Sequence, residues 1–400
     1  MHVATNSIFR FRTFNKFIAI VFLLLIICCL FLFLTPTKTA KASSLSDEID
    51  NMLNEIDLTE LEEFFSGIKE KGFSLKVKDI LSGNFNTDYS SFFNYLTEVL
   101  FSKVKSLIPI FVSILAISIF SLLLSSNKGG LGELKGVVST VCFFAISLIL
   151  IVEMGYVIKD VKSILEKLRN FVSIISPILL TLMVASGGNV SATLYKPTVA
   201  FLSNGITEII LSVVLPLVTV IFILNVISSF IDNVRFNRSI ELISSVIKWV
   251  LGISFTVFTI FLSIQGIGAS SIDGISLRVT KYTISNSVPI IGGFISGGFD
   301  MVVAGSALIK NAIGIGGLVF LIYLLVSPLI YILAFSLILK FVGAILEPLS
   351  NLKFTNFFFG VSKTLELLLT CIIGVFFMVF ISVVLIICSA NAIVLWKIIY

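Results

Sequence analysis

Residues 176–197 read SPILLTLMVASGGNVSATLYKP, and residues 288–311 read VPIIGGFISGGFDMVVAGSALIKN. The two stretches share a plan. A proline opens a short apolar run, at Pro177 and at Pro289. A glycine pair closes it, Gly187 with Gly188 and Gly297 with Gly298. Each then leads into a long apolar segment with a second proline, Pro216 or Pro328. Pro177 and Pro216 stand as far apart as Pro289 and Pro328. Short, Gly-interrupted apolar segments in corresponding places of two halves point to a transporter-like membrane core.

Composition agrees. Hydrophobic residues make up 57% of the 400 and charged ones 13%, far from a soluble domain of this length. Several apolar runs reach the roughly 18 residues that span a bilayer, and they are too long and unbroken for a β-barrel. The expected fold class is all-α. It is a polytopic helical membrane protein with an internal repeat containing short Gly-interrupted segments, preceded by a signal sequence and a small acidic exported region. The net charge of +5 comes from Arg10, Arg12, Lys16, Lys38 and Lys41, before any acid occurs. It reports targeting rather than nucleic-acid binding.

Whole classes of chemistry are absent. The only histidine is His2, which removes His-based zinc sites, Ser-His-Asp triads and imidazole acid–base chemistry. Cys28, Cys29, Cys142, Cys371 and Cys388 lie in apolar runs without metal spacing; such thiols act mostly as small hydrophobes. No phosphate-loop motif occurs. The chain is expected not to be an enzyme and to need no cofactor or metal.

Residues 1–42 read as a signal sequence, with a basic start, an apolar core over 17–34 and a small-x-small pattern for cleavage after Ala42. The core is longer than usual, so an uncleaved anchor stays open. Residues 43–105 form an acidic helical exported region, which lies on the outer membrane surface, binds a partner or simply spaces the signal from the membrane. Residues 106–170 hold a first transmembrane hairpin and, over 153–170, an amphipathic helix suited to the interface plane. Repeat unit one covers 171–271 and unit two 272–400. Each starts with a short piece (171–186, 284–296) and a polar break (187–197, 297–311). The short pieces either cross the membrane or dip in and return. In both cases the C-terminus ends on the side of the acidic region.

Polar residues in the apolar runs are the candidate site. Glu208, near Asn204, reads as a pathway-lining or proton-linked carboxylate, or as an interfacial residue or helix–helix hydrogen bond. Asp300 and Lys310, with Asn311, are expected to form an ion pair that braces the second break and lines a conduit, or else a surface loop. Lys196 holds the corresponding place in unit one. Asn225 and Gln265 read as interhelical glue. Pro216 and Pro328 are expected to kink their helices. The glycine pairs allow positive φ or close backbone approach.

The stretch at 183–197 and, more specifically, the one at 288–314 resemble the two signatures of the stage III sporulation protein AE family. The order of signal, acidic segment and permease-like core fits over essentially the whole chain. The resemblance implies a subunit in the mother-cell membrane around the forespore, with the acidic region extracytoplasmic. There it would work with the other stage III A proteins, a separate ATPase among them, and a forespore-side partner in a transenvelope channel or secretion-like complex. Self-association stays open. The chain has no nucleotide motif of its own, so energy would come from the partner ATPase. Two other functions fit the residues: an autonomous ion-coupled transporter working through Glu208 or Asp300, and a non-transporting membrane scaffold.

Overall fold

The computed structural model describes residues 89–126, 132–230, 236–266, 269–287, 292–349 and 352–399. All lie in the larger of two compact units, Ile49–Tyr400. The expected signal sequence, its cleavage after Ala42 and most of the acidic region fall outside the described residues.

The described residues are helical almost throughout. The helices are α1 (Tyr89–Ser126), α2 (Gly132–Ala185), α3 (Asn189–Phe230), α4 (Asn237–Gly266), α5 (Ala269–Ser287), α6 (Gly292–Leu346) and α7 (Leu352–Ile399), with a 3-10 turn at Glu347–Leu349. All but α5 are long and apolar enough to cross a membrane. With no water in a bilayer core, a spanning backbone must satisfy its own hydrogen bonds, and helices do so within one segment. This is a multi-pass helical membrane protein.

Neighbouring side chains fix how the rods lie together. Phe171 of α2 stacks on Phe320 of α6 at 5.6 Å, and Tyr331 of α6 donates to Glu153 of α2, so α2 and α6 run antiparallel. Tyr95 meets Tyr323 and Phe111 meets Phe341, so α1 runs parallel to α6. α6 and α7 form a hairpin, tied by Ser336 Oγ and Ser362 Oγ at 2.8 Å. α7 is the centre of the bundle: 72% of its apolar window is buried, against 22% for α1 and α4.

Three expected divisions are absent. Residues 136–186 were to be a span, an interfacial helix and a short piece; instead they lie in α2 and its cap, and α2 runs unbroken through Pro177. The apolar face of 153–170 (Val157, Val161, Ile164, Leu165, Leu168) is buried inside the protein. The segment is amphipathic because it packs on protein, not because it floats on lipid. The break expected at 187–197 shrinks to 186–188, and α3 resumes at Asn189. The break expected at 297–311 does not exist, since α6 runs through it. Glycine weakens a helix by only about 1 kcal/mol per residue, less than leaving membrane-buried peptide groups unsatisfied.

α3 carries the irregularity instead. Wide π-helical turns occupy Phe201–Ile206 and Ile210–Val214. The second sits directly before Pro216, whose ring has no N–H and crowds the carbonyl one turn back. Widened turns of this kind cluster at functional places in helices. Pro328, by contrast, sits buried inside an α6 with no such interruption.

Candidate functional site

Among the described residues, the one place where a membrane-length helix stops and another starts after a three-residue gap is the elbow between α2 and α3. Its geometry follows from its glycines. Gly188 N–H donates to Met183 O at 2.8 Å and Gly187 N–H to Val184 O at 2.9 Å. Gly187 takes φ +91. This is the double hydrogen-bond helix terminus that needs a left-handed residue, for which glycine alone has no Cβ penalty. A side chain on Gly187 would also run into Leu277 of α5.

On the far side of the elbow, the free N–H groups of α3 find a carboxylate. Asp273 of α5 is fully buried. It accepts from Val190 N–H through Oδ1 at 2.8 Å and from Ser191 N–H through Oδ2 at 2.9 Å. A carboxylate at a helix N-terminus meets both the orphan donors and the positive end of the dipole. Gln265, at the end of α4, reaches back to Thr198 Oγ1 and to Leu194 O at 3.5 Å. The start of α3 is therefore held by α4 and α5 together.

A second buried group lies on α6. Lys310 is fully buried, and its ammonium donates to Ile386 O at 3.1 Å and Ile387 O at 3.0 Å on α7. Two residues on, Ser389 lies against Met183 Sδ at 3.8 Å. α7 also packs against the start of α3, so it links Lys310 to both sides of the elbow. An open groove of about 300 Å³, lined by Asn189, Val190, Thr193 and Leu194, lies on the outer side of the start of α3.

The other expected site residues are placed elsewhere. The Asp300–Lys310 pair does not form: ten residues apart on one helix, they are separated by about 15 Å along its axis. Asp300 instead pairs with Lys281 of α5 at 2.6 Å. Asn311 is part-buried beside Lys310. Gly297 and Gly298 lie in α6, and a Cβ on Gly298 would meet open space. Lys196 is exposed. Glu208 is also exposed; it pairs with Arg169 of α2 at 3.2 Å, and Arg169 donates to Asn204 Oδ1 at 3.4 Å. Asn225 donates to Thr364 Oγ1 of α7 at 3.4 Å, the interhelical role expected of it. Among the described residues no three His, Cys, Asp or Glu side chains are placed to hold a metal.

Asp273 is the residue that the sequence did not single out as a site. Its partners are more than eighty positions away, and its only signal was an acid in an apolar chain upstream of Pro289.

The elbow, Asp273 and Lys310 all fall within residues 73–390, which match the family model described as stage III sporulation protein AE. The chain belongs to the stage III sporulation protein AE family. A Bacillus subtilis (strain 168) protein named stage III sporulation protein AE is 26% identical over 360 residues, covering 89% of this chain and 88% of that one. No solved structure matches. Membership of the stage III sporulation protein AE family makes this a sporulation protein, and its helices make it a membrane-embedded one.

Proposed function

We propose that this chain is the permease-like core subunit of a transenvelope complex between mother cell and forespore. It would sit in the mother-cell membrane around the forespore and act with the other stage III A proteins, a separate ATPase and a forespore-side partner. The observation that carries the reading is the elbow. A helix broken at a glycine pair is pinned by a fully buried aspartate, next to a fully buried lysine that grips the central helix. Ionisable groups buried in a membrane protein are costly and mark working parts more often than ornament. The paired-break conduit expected from the sequence needs two broken helices. Only the first glycine pair breaks one, so the elbow alone is the candidate moving or lining part.

No observation favours the autonomous transporter. Glu208 and Asp300, its expected carboxylates, are tied to Arg169 and Lys281 at part-exposed positions. The deciding experiment replaces Gly187 with leucine in a spore former and follows both sporulation and small-molecule passage into the forespore. With membrane levels of the protein matched, both are expected to fail. Normal passage and normal spores would sink the reading.

A further inference from the structure

α1 accompanies α6 over only part of its length. Tyr95, in the second turn of α1, meets Tyr323 of α6 at 4.6 Å, and the two helices run side by side from there to Phe111 and Phe341. Three residues before Tyr323, Phe320 stacks on Phe171 of α2. The start of α1, at Tyr89, is therefore near the level of Phe171. α6 begins at Gly292, about 46 Å of helix before Tyr323. On that earlier part Met301, Leu308 and Ile315 are exposed. They recur every seven residues and so lie in one line along the helix. The next step of seven is Ile322, the neighbour of the Tyr323 that α1 covers. The exposed line is the α1 seam, continued past the end of α1. α2 packs beside it, with Ile175 against Gly317. Past Phe171, α2 exposes Ser173, Pro177 and Thr181; in the turns before it, α2 exposes Lys159, Lys162 and Lys167. An apolar line rimmed by polar side chains marks an interaction surface.

The stretch of chain that leads into α1 has the complementary composition. Residues 49–88 contain nine acidic residues and four lysines, and the six acids from Asp50 to Glu63 have no base among them. Ile49, Leu53, Ile56, Leu61, Phe64 and Phe65 recur near helical spacing, the pattern of a segment that lays an apolar face in a groove. On the flank, Lys162 has Glu166 at 3.9 Å. Lys159 and Lys167 have no ion-pair partner among the described residues. Asp88 is joined to Tyr89, so one end of the segment is fixed where the exposed line begins. A tether of this kind gives an effective concentration on the order of millimolar, which a free partner would have to exceed. The line from Met301 to Ile322 is about 32 Å long, a length that about twenty helical residues cover. The family match begins at residue 73, so what the family shares includes residues ahead of α1.

We propose that residues 49–88 dock on this flank of their own chain. Their apolar side chains cover Met301, Leu308 and Ile315, and their carboxylates face Lys159, Lys162 and Lys167. The acidic region is then part of the bundle, neither a spacer nor a hook for another protein. Lipid and a second copy of the chain are the competing occupants. The inference needs no assumption about transport.

The test uses the full chain in nanodiscs, prepared from a mixture of light and isotope-labelled protein. Benzoylphenylalanine replaces Leu308, an exposed position, and is activated by light. Digestion and mass spectrometry should place its adduct on a peptide from 49–88 of the same copy. The same group at Leu123, exposed at the far end of α1, should label lipid instead. In the unsubstituted protein, a zero-length carbodiimide should join Lys159, Lys162 or Lys167 to an acid between Asp50 and Asp88 of the same copy. Absence of either product overturns the proposal. So does an adduct from position 308 on lipid alone, or products that join light chains to heavy ones. Labelling of 49–88 from Leu123 as strongly as from Leu308 would show contact without a site and overturns it as well. Neither readout involves sporulation or passage of solutes, so failure here is separate from failure of the proposed function.

Discussion

At the scale of single residues, the elbow rests on groups whose removal has a calculable sign. Asp273 bridges two peptide N–H groups that have no other partner in their own helix. Asp273→Ala leaves the buried Ser191 N–H and the half-buried Val190 N–H unmet, which is expected to destabilise the protein by about 1–3 kcal/mol. Asp273→Asn keeps one acceptor and should lose less. Thermal unfolding in nanodiscs reads the order wild type, Asn, Ala; an Ala variant as stable as the wild type would show that the cap contributes nothing. Lys310 differs, because the carbonyls it grips belong to a helix that already satisfies them once. Lys310→Met removes a desolvated charge at nearly constant volume, so the change should stay within about 1.5 kcal/mol. Lys310→Glu sets a carboxylate against Ile386 O and Ile387 O and should abolish accumulation in the membrane. If both variants accumulate normally, Lys310 is not held as described.

At the scale of elements, the six apolar helices were legible because run length alone decides who can span. Their continuity was not. The sequence over 297–311 is rich in Gly, Ala and Ser, and that composition fits a loop or a close-packed helix equally well. Packing settles it. Gly314 lies against Ile387 of α7 and Gly317 against Ile175 of α2, where a methyl group would collide. Small residues there let helices approach, the main source of affinity between helices in lipid. α6 therefore predicts opposite signs for one chemical change. Gly298→Ala, helical and facing open space, should stabilise by up to about 1 kcal/mol. Gly314→Ala should destabilise by about 1–3 kcal/mol through overpacking. Unfolding midpoints of the two variants check this, and a loss in Gly298→Ala would argue for a broken helix at the second glycine pair. The elbow was legible for the same local reason that α6 was not: Gly187 needs its positive φ, whereas Gly298 does not.

At the scale of the whole molecule, what the sequence left open was the third dimension. Asp273 and Val190, Arg169 and Glu208, and Lys310 and Ile386 lie 83, 39 and 76 positions apart, and no local pattern announces such pairs. Once they are in place, sidedness follows. Phe143, near the start of α2, packs on Phe230 at the end of α3 and on Phe354 at the start of α7, at 4.8 and 5.4 Å. Phe111 of α1 meets Phe341 near the end of α6. The α1–α2, α3–α4 and α6–α7 connections therefore share one end of the bundle, and the elbow stands at the other. Six crossings also return the chain to the side on which α1 began, as either reading of the repeat required. Reporters inserted after Lys128, Val234 and Ser350 should thus all report one face of the membrane. A reporter replacing the exposed Asn189 and one fused after Tyr400 should report the opposite face. The second pair is the stricter test, because a re-entrant first glycine segment would leave the C-terminal reporter where it is and move the one at Asn189 into the protected interior.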